Sequence, residues 1–272
     1  MHERLSVHSI CFRDAALRAL ATYWRDLGIR RVSLHSGLIE KEGLAAVQSA
    51  VESGPYEVET ITHTFLPLGH QLDAQRRNWN APQENLDRVI ADAKTLGARS
   101  IELFTGGQGA LTWEEAAELF GTAVAPCLDR AKIAGVSVMA ENTPSRYAGM
   151  HLAGSLRDTV VLAELTGIDI CIDVFSCWSE AGLKQTIERA ATRTSLVQIG
   201  DYAFDETMSP GRAVPGDGMI SFDRILDWIL RAGYRGTFEI EILGPRIDKE
   251  GHFQATRRAV AFIAETLRSL GA

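Results

Sequence analysis

Apolar and polar positions along this chain follow two periods that take turns. Short β-branched runs with a two-residue period are each followed by stretches whose apolar residues recur every three or four positions. The first pattern belongs to a half-buried strand, the second to an amphipathic helix. The strand-like runs end near Ser9, His35, His63, Phe104, Glu141, Asp173, Gly200 and Ile242. Helices are predicted over about 13–27, 41–53, 82–96, 113–134, 155–166, 179–192, 221–231 and 251–269. Gly28, Gly97, Gly135, Gly167 and Gly233 sit just after predicted helices, where a residue at ease in the left-handed region ends a helix. Eight strand–helix units with no linker or low-complexity segment predict one α/β domain over residues 1–272, closed as a (β/α)8 barrel. Gly106-Gly107-Gln108-Gly109 follows a strand but lacks the spacing of a dinucleotide-binding loop.

Successive side chains of a strand point to opposite faces, so parity assigns each residue a side. Val136, Val138 and Ala140 oppose Ser137, Met139 and Glu141; Ile168, Ile170 and Ile172 oppose Asp169, Cys171 and Asp173. Val197 and Ile199 oppose Gln198, and Phe238, Ile240 and Ile242 oppose Glu239 and Glu241. The apolar phase should face the helices and the polar phase the barrel axis. Ser6, His8, Ser33, His35 and His63 are expected on the inward phase of the first three strands. Such an interior would gather carboxylates where branched apolar side chains are usual. Burying like charges together costs several kcal/mol each unless compensated, and a divalent cation is the simplest compensation. Glu141, Asp173, Gln198 and Glu241 fall at or near the C-terminal ends of their strands, where barrel active sites lie. Glu239 lies one layer deeper, with an ion pair to an inward basic residue as its expected role.

Composition narrows the partners. The net charge is −7 without a block of one sign, which disfavours nucleic acid and anionic membranes. Apolar residues make up 46% and charged residues 23%, an ordinary globular balance. Cys11, Cys127, Cys171 and Cys177 form no CxxC pair, so free thiols in a reducing compartment are expected. Met1-His2-Glu3-Arg4 leads straight into a strand-like run, and there is neither a signal-peptide core nor an apolar run of about 18 residues. The expectation is a soluble cytoplasmic protein acting on a small molecule.

The stretches VSVMAENT, DICIDVFSCW, SLVQIGDY, GRAVPGDG and GYRGTFEIEILGPRI, taken together, resemble the xylose-isomerase-like TIM-barrel superfamily of sugar isomerases and epimerases. The resemblance runs over nearly the whole chain and implies a single TIM barrel. It implies one divalent metal held by Glu141, Asp173, Gln198 and Glu241, at the ends of strands five to eight. Gln198 departs from the epimerase branch, which carries His there, and is similar to the hydroxypyruvate-isomerase branch. An amide oxygen with three carboxylates is a hard donor set that favours Mn2+ or Mg2+ over Zn2+. Ser176 is a second departure, because many relatives place a substrate-contacting His three residues after the strand-six Asp. Trp178 and Glu180 stand just beyond it and are expected to shape the same wall.

Arg212 matches an arginine that relatives use near the substrate; the alternative for it is a loop salt bridge. His63, before the long loop 64–81, and His151, in the loop after strand five, are substrate-contact candidates against structural hydrogen bonding. Asp201 is expected to brace the loop after strand seven, and Phe65, Leu66, Pro67, Leu68 and Trp79 to make part of the mouth apolar. The implied chemistry is aldose–ketose or epimer interconversion through an enediolate, with Glu141 and Glu241 removing and returning the proton. Two alternatives stay open: a lyase that expels a β-leaving group from the same enolate of a keto-sugar, keto-inositol or oxidised glycoside, and a binding protein without turnover. The apurinic endonucleases of the superfamily need a histidine-rich zinc cluster and a basic face, and the scattered histidines and acidic balance argue against that role. Pairing of barrels into a homo-oligomer is an expectation of the superfamily alone.

Overall fold

Val7, Val32, Ile101, Val138, Ile170, Val197 and Ile240, all on the outward phase of their strands, are buried against the surrounding helices and form the main core. The computed structural model describes residues 2–76, 78–204 and 211–272. The barrel strands are β1 (Leu5–His8), β2 (Arg31–His35), β3 (Glu57–Thr64) and β4 (Ser100–Phe104). They continue with β5 (Ser137–Glu141), β6 (Asp169–Asp173), β7 (Thr194–Ile199) and β8 (Thr237–Ile240). All pair in parallel in sequence order, and β8 closes on β1 through Ser6 opposite Glu239. The barrel predicted from the sequence is the barrel observed.

Most predicted helices appear within a few residues of their expected limits. The helix Trp113–Ala134 begins on a reciprocal cap, in which Thr112 Oγ1 accepts from Glu115 N–H while the Glu115 carboxylate accepts from Thr112 N–H. Three predicted helices are divided differently. After β2 there are two, Ser36–Glu42 and Leu44–Glu52, parted at Gly43, whose φ of 87° no ordinary residue adopts comfortably. After β6 a single turn, Val174–Cys177, precedes Leu183–Ala190. After β8, Pro245–Glu250 precedes His252–Ser269.

Parity holds for β5 to β8 and fails at one predicted position. Met139, Cys171 and Leu196, all inward, form a separate small apolar cluster inside the barrel. In β3, however, Thr62 faces the interior, where its Oγ1 meets His8 and Glu102. His63 therefore shares the outward phase with Ile61, contrary to the expectation for it. The cause is a register irregularity in the β2–β3 ladder between Val32 and Leu34, which parity counted along a single strand does not reveal.

Between β7 and β8 the chain makes a two-stranded antiparallel ribbon, Asp201–Tyr202 with Arg212–Ala213. Asp201 braces it as expected: its carboxylate accepts from the backbone N–H groups of Tyr202, Gly216, Gly218 and Ile220 at 2.7 to 3.1 Å. All four cysteines are free and buried. Among the described residues no helix is long and apolar enough to cross a membrane.

Candidate metal and active centre at the barrel mouth

Glu141 ends β5, Asp173 ends β6, and Glu241 is the residue after β8, tied to β7 by its N–H to Ile199 O at 3.0 Å. One carboxylate oxygen from each lies within 4.8 Å of the others. The Asp173 backbone is clamped by Asn142, whose amide gives to Asp173 O and takes from Asp173 N–H, both at 2.9 Å. Its carboxylate accepts from Ser176 Oγ at 2.6 Å and from Phe175 N–H at 3.0 Å. Cys11 performs a similar service for Glu241: its thiol gives to Ile240 O at 3.3 Å and takes from Ile242 N–H at 3.4 Å.

Gln198, level with Asp173 in the β6–β7 register, reaches down to the next layer, where its Nε2 donates to Glu102 Oε2 at 3.0 Å and to Glu239 Oε1 at 3.3 Å. That fixes which amide atom is nitrogen. The buried Oε1 is then left without a partner among the described residues. A second relay reaches Glu102 from the other side. His8 Nδ1 accepts from Ile10 N–H at 3.0 Å, so the neutral ring carries its proton on Nε2. Nε2–H donates to Thr62 Oγ1 at 2.9 Å, and Thr62 donates to Glu102 Oε2 at 3.0 Å. Burial holds the His8 imidazole down to about 3, which keeps this direction through the neutral range. The ion pair expected for Glu239 is not formed among the described residues. Its partners are Ser6 and Gln198, while the basic Arg31 is drawn to Glu59 at 3.3 Å.

The result is a crowd of carboxyl groups with little to neutralise it. Burial pushes Glu141 and Glu239 well above the usual carboxylate range, and neighbouring carboxylates push both further. Burial also raises Glu102 and Asp173, and lifts Glu241 to about 7 against the opposing pull of Arg212. Among the described residues, Arg212 is the cation that reaches this ring. Its Nη1 donates to Glu241 O at 3.0 Å and to Glu241 Oε2 at 3.3 Å, and Nη2 lies 3.7 Å from Asp173 Oδ2. Gly200 makes room for it: a Cβ there would stand 2.9 Å from Glu241 O and 3.2 Å from Arg212 Nη1. One guanidinium cannot balance the set. Three carboxylates and an orphaned amide oxygen are hard donors of the kind a divalent cation takes, so these residues fit such an ion.

A cavity of about 190 Å3 opens over the ring, lined by Glu141, Glu241 and Arg212 and walled by Phe104, Tyr147 and Met150. Ser176 and Trp178 line a neighbouring cleft. His151 is buried with both ring nitrogens engaged: Nδ1 accepts from Thr105 N–H at 3.0 Å and Nε2–H donates to Glu141 O at 2.8 Å. It braces the strand end that carries Glu141 and has no nitrogen free for a substrate. His63 Nδ1 lies 2.9 Å from Ser36 Oγ, its Nε2 has no partner among the described residues, and it does not line the cavity. Glu180 caps the helix Leu156–Thr166 through Leu156 N–H at 2.8 Å and is no part of the wall. Phe65 and Leu66 are buried and Trp79 stacks on Phe65 at 6.0 Å, so the apolar loop feeds the core and exposes only Leu68 among them.

Reading the sequence did not single out Glu102, Thr62, Asn142 or the role of Cys11. The signal for Glu102 was present, since Ser100 and Glu102 share the polar phase of β4 between Ile101 and Leu103. The others depend on contacts between strands far apart in sequence.

With this geometry in place, the chain belongs to the family described as xylose isomerase-like TIM barrel, whose profile matches residues 12–266. Comparison with curated proteins finds no significant match. Among solved structures, a Sinorhizobium meliloti 1021 protein is similar at 22% identity and TM-score 0.82, over 98% of each chain. A protein called IOLI, crystallised with a zinc atom, is similar at 12% identity and TM-score 0.81, over 98% of this chain and 99% of its own. An L-ribulose 3-epimerase is similar at 21% identity and TM-score 0.78, over 98% of this chain and 95% of its own. At these identities the likeness is one of fold.

Proposed function

We propose that this protein is a divalent-metal-dependent isomerase or epimerase that moves a proton on a sugar or related hydroxy-carbonyl compound through an enediolate. The observation that carries this reading is the ring of Glu141, Asp173 and Glu241 carboxylates, with the unpartnered Gln198 oxygen, beneath a small cavity holding one buried arginine. Glu141, Asp173, Gln198 and Glu241 would hold the cation, and their oxygen-only set suits Mn2+ or Mg2+. When bound, the cation supplies polarisation of a carbonyl and its neighbouring hydroxyl, which acidifies the proton on the hydroxyl-bearing carbon.

The remaining work falls to side chains of this chain. Glu141 and Glu241 come from strands three steps apart around the barrel and both line the cavity. One removes the proton and the other returns it; return to the same carbon on the opposite face is epimerisation, and return to the former carbonyl carbon, with the hydroxyl proton passing to the former carbonyl oxygen, is isomerisation. Arg212 holds the Glu241 carboxylate in place and presents its charge to a substrate oxygen. Ser176 keeps Asp173 oriented and offers the substrate a hydroxyl but no base. The L-ribulose 3-epimerase of the same fold is compatible with this chemistry and does not fix the substrate.

The test is incubation of the Mn2+-loaded protein with a panel of aldoses and ketoses in D2O. Deuterium at the carbon beside the carbonyl, seen by NMR, is expected for at least one substrate. An enone absorbing in the ultraviolet would instead identify elimination, and neither signal across the panel would sink the proposal.

A further inference from the structure

The cavity over the carboxylate ring has a second, larger space next to it, across Pro144. At about 190 Å3 it falls below the roughly 300–1,000 Å3 usual for small-molecule sites, and it has room for one short hydroxy-carbonyl unit. Beside it lies a cleft of about 450 Å3 lined by Phe175, Ser176, Ser179, Trp178 and Tyr202. Pro144 lines both spaces. The partition between them is built from residues of the ring itself. Ser176 faces the cleft while its Oγ holds Asp173. Phe175 faces the cleft while its ring lies under the Arg212 guanidinium at 4.2 Å, and Arg212 faces the cavity.

The cleft joins an aromatic wall to a polar edge that includes Arg146. Trp178 and Tyr202 sit with ring centroids 5.6 Å apart and planes 30° from parallel, and Phe175 continues the wall 6.3 Å from Tyr202. These rings are half-buried rather than packed away, apart from Phe175. Ser145 and Ser179 line the edge of the cleft, while Ser176 lines it with its hydroxyl turned to Asp173. Aromatic faces bordered by hydroxyls match a saccharide ring, which has an apolar C–H face and a polar rim. A bare aryl group would use the faces and leave the hydroxyls unmatched.

We infer that the cleft is a second subsite and that the substrate is a two-ring saccharide, with its hydroxy-carbonyl unit in the cavity and its second sugar ring against Trp178. This rests on the function proposed above and narrows its substrate class.

The test is calorimetric titration of the Mn2+-loaded protein with D-fructose and with disaccharides that end in a ketose: turanose, maltulose, lactulose and isomaltulose. At least one disaccharide is expected to bind about tenfold tighter than fructose. Trp178→Ala should remove that gain and leave fructose binding within about twofold, whereas Trp178→Phe should keep most of it. Equal binding of fructose and every disaccharide by the unaltered protein overturns the proposal. So does a gain that survives Trp178→Ala, or one reproduced by phenyl glycosides of the same ketose. Mn2+ binding measured without sugar, in the unaltered protein and in Glu241→Gln, reports separately on the metal site. Loss of that difference would count against the function, not the subsite.

Discussion

Gln198 Nε2 donates to Glu102 Oε2 at 3.0 Å, the shorter of the two bonds that hold its amide nitrogen, and its buried Oε1 has no partner among the described residues. Glu102 thus acts on the proposed metal through Gln198. Outer partners of this kind change metal affinity about 10- to 100-fold when removed. Glu102→Leu is expected to weaken Mn2+ binding by that factor, measured by the free-ion signal in electron paramagnetic resonance. Unchanged affinity in a folded variant would show that the amide orientation is set elsewhere.

Glu141→Gln and Glu241→Gln should each reduce solvent deuterium incorporation by about 100-fold or more, since each removes a proton-transfer group. Removing metal with a chelator should abolish exchange in the unaltered protein. Mn2+ or Mg2+ should restore it better than Zn2+ if the oxygen-only donor set governs selectivity. Exchange that persists in metal-free protein would exclude the proposed mechanism.

His151 makes stability depend on pH. Burial holds its imidazole down to about 4 in the folded protein, against about 6.5 when unfolded. Between those values the unfolded chain binds more protons, so unfolding free energy rises with pH there. The contribution is complete above about pH 6.5 and is lost as pH falls towards 4. The stability difference between the unaltered protein and His151→Gln should therefore shrink by about 3 kcal/mol from pH 7 to pH 4, with other titrating groups cancelling. Urea unfolding at several pH values reads this directly, and a flat difference would contradict it.

Asp201 gathers four backbone N–H groups of the ribbon and its loop. Asp201→Ala leaves them without that acceptor and should cost about 2–4 kcal/mol. It should also loosen Arg212, which the ribbon carries and which holds Glu241, so substrate affinity is expected to fall and Mn2+ affinity to shift with it. Unchanged substrate affinity in a folded variant would show that the ribbon does not position Arg212.

How much of this was legible before folding differs from residue to residue. Glu141, Asp173, Gln198 and Glu241 were legible because each stands on the polar phase of a strand whose other phase is wholly apolar. Parity is a local property, and it carried the inward assignment of β5 to β8. It failed at His63, where the β2–β3 register shifts and the interior position passes to Thr62. His151 looked like a candidate ligand contact because an imidazole in a mouth loop has the right chemistry. Only the fold shows that Thr105 and the Glu141 carbonyl already use both of its nitrogens.

By itself, the sequence determined the alternation of strands and helices, the closure into eight units and the four polar strand ends, because periodicity and side-chain chemistry act within a few residues. Tertiary structure decided the rest. The bond from Gln198 to Glu102, the clamps from Asn142 and Cys11, the capture of Glu241 by Arg212 and the cleft beside Ser176 all join segments far apart in the chain. Their distances are set by how the barrel closes, and no local pattern encodes them.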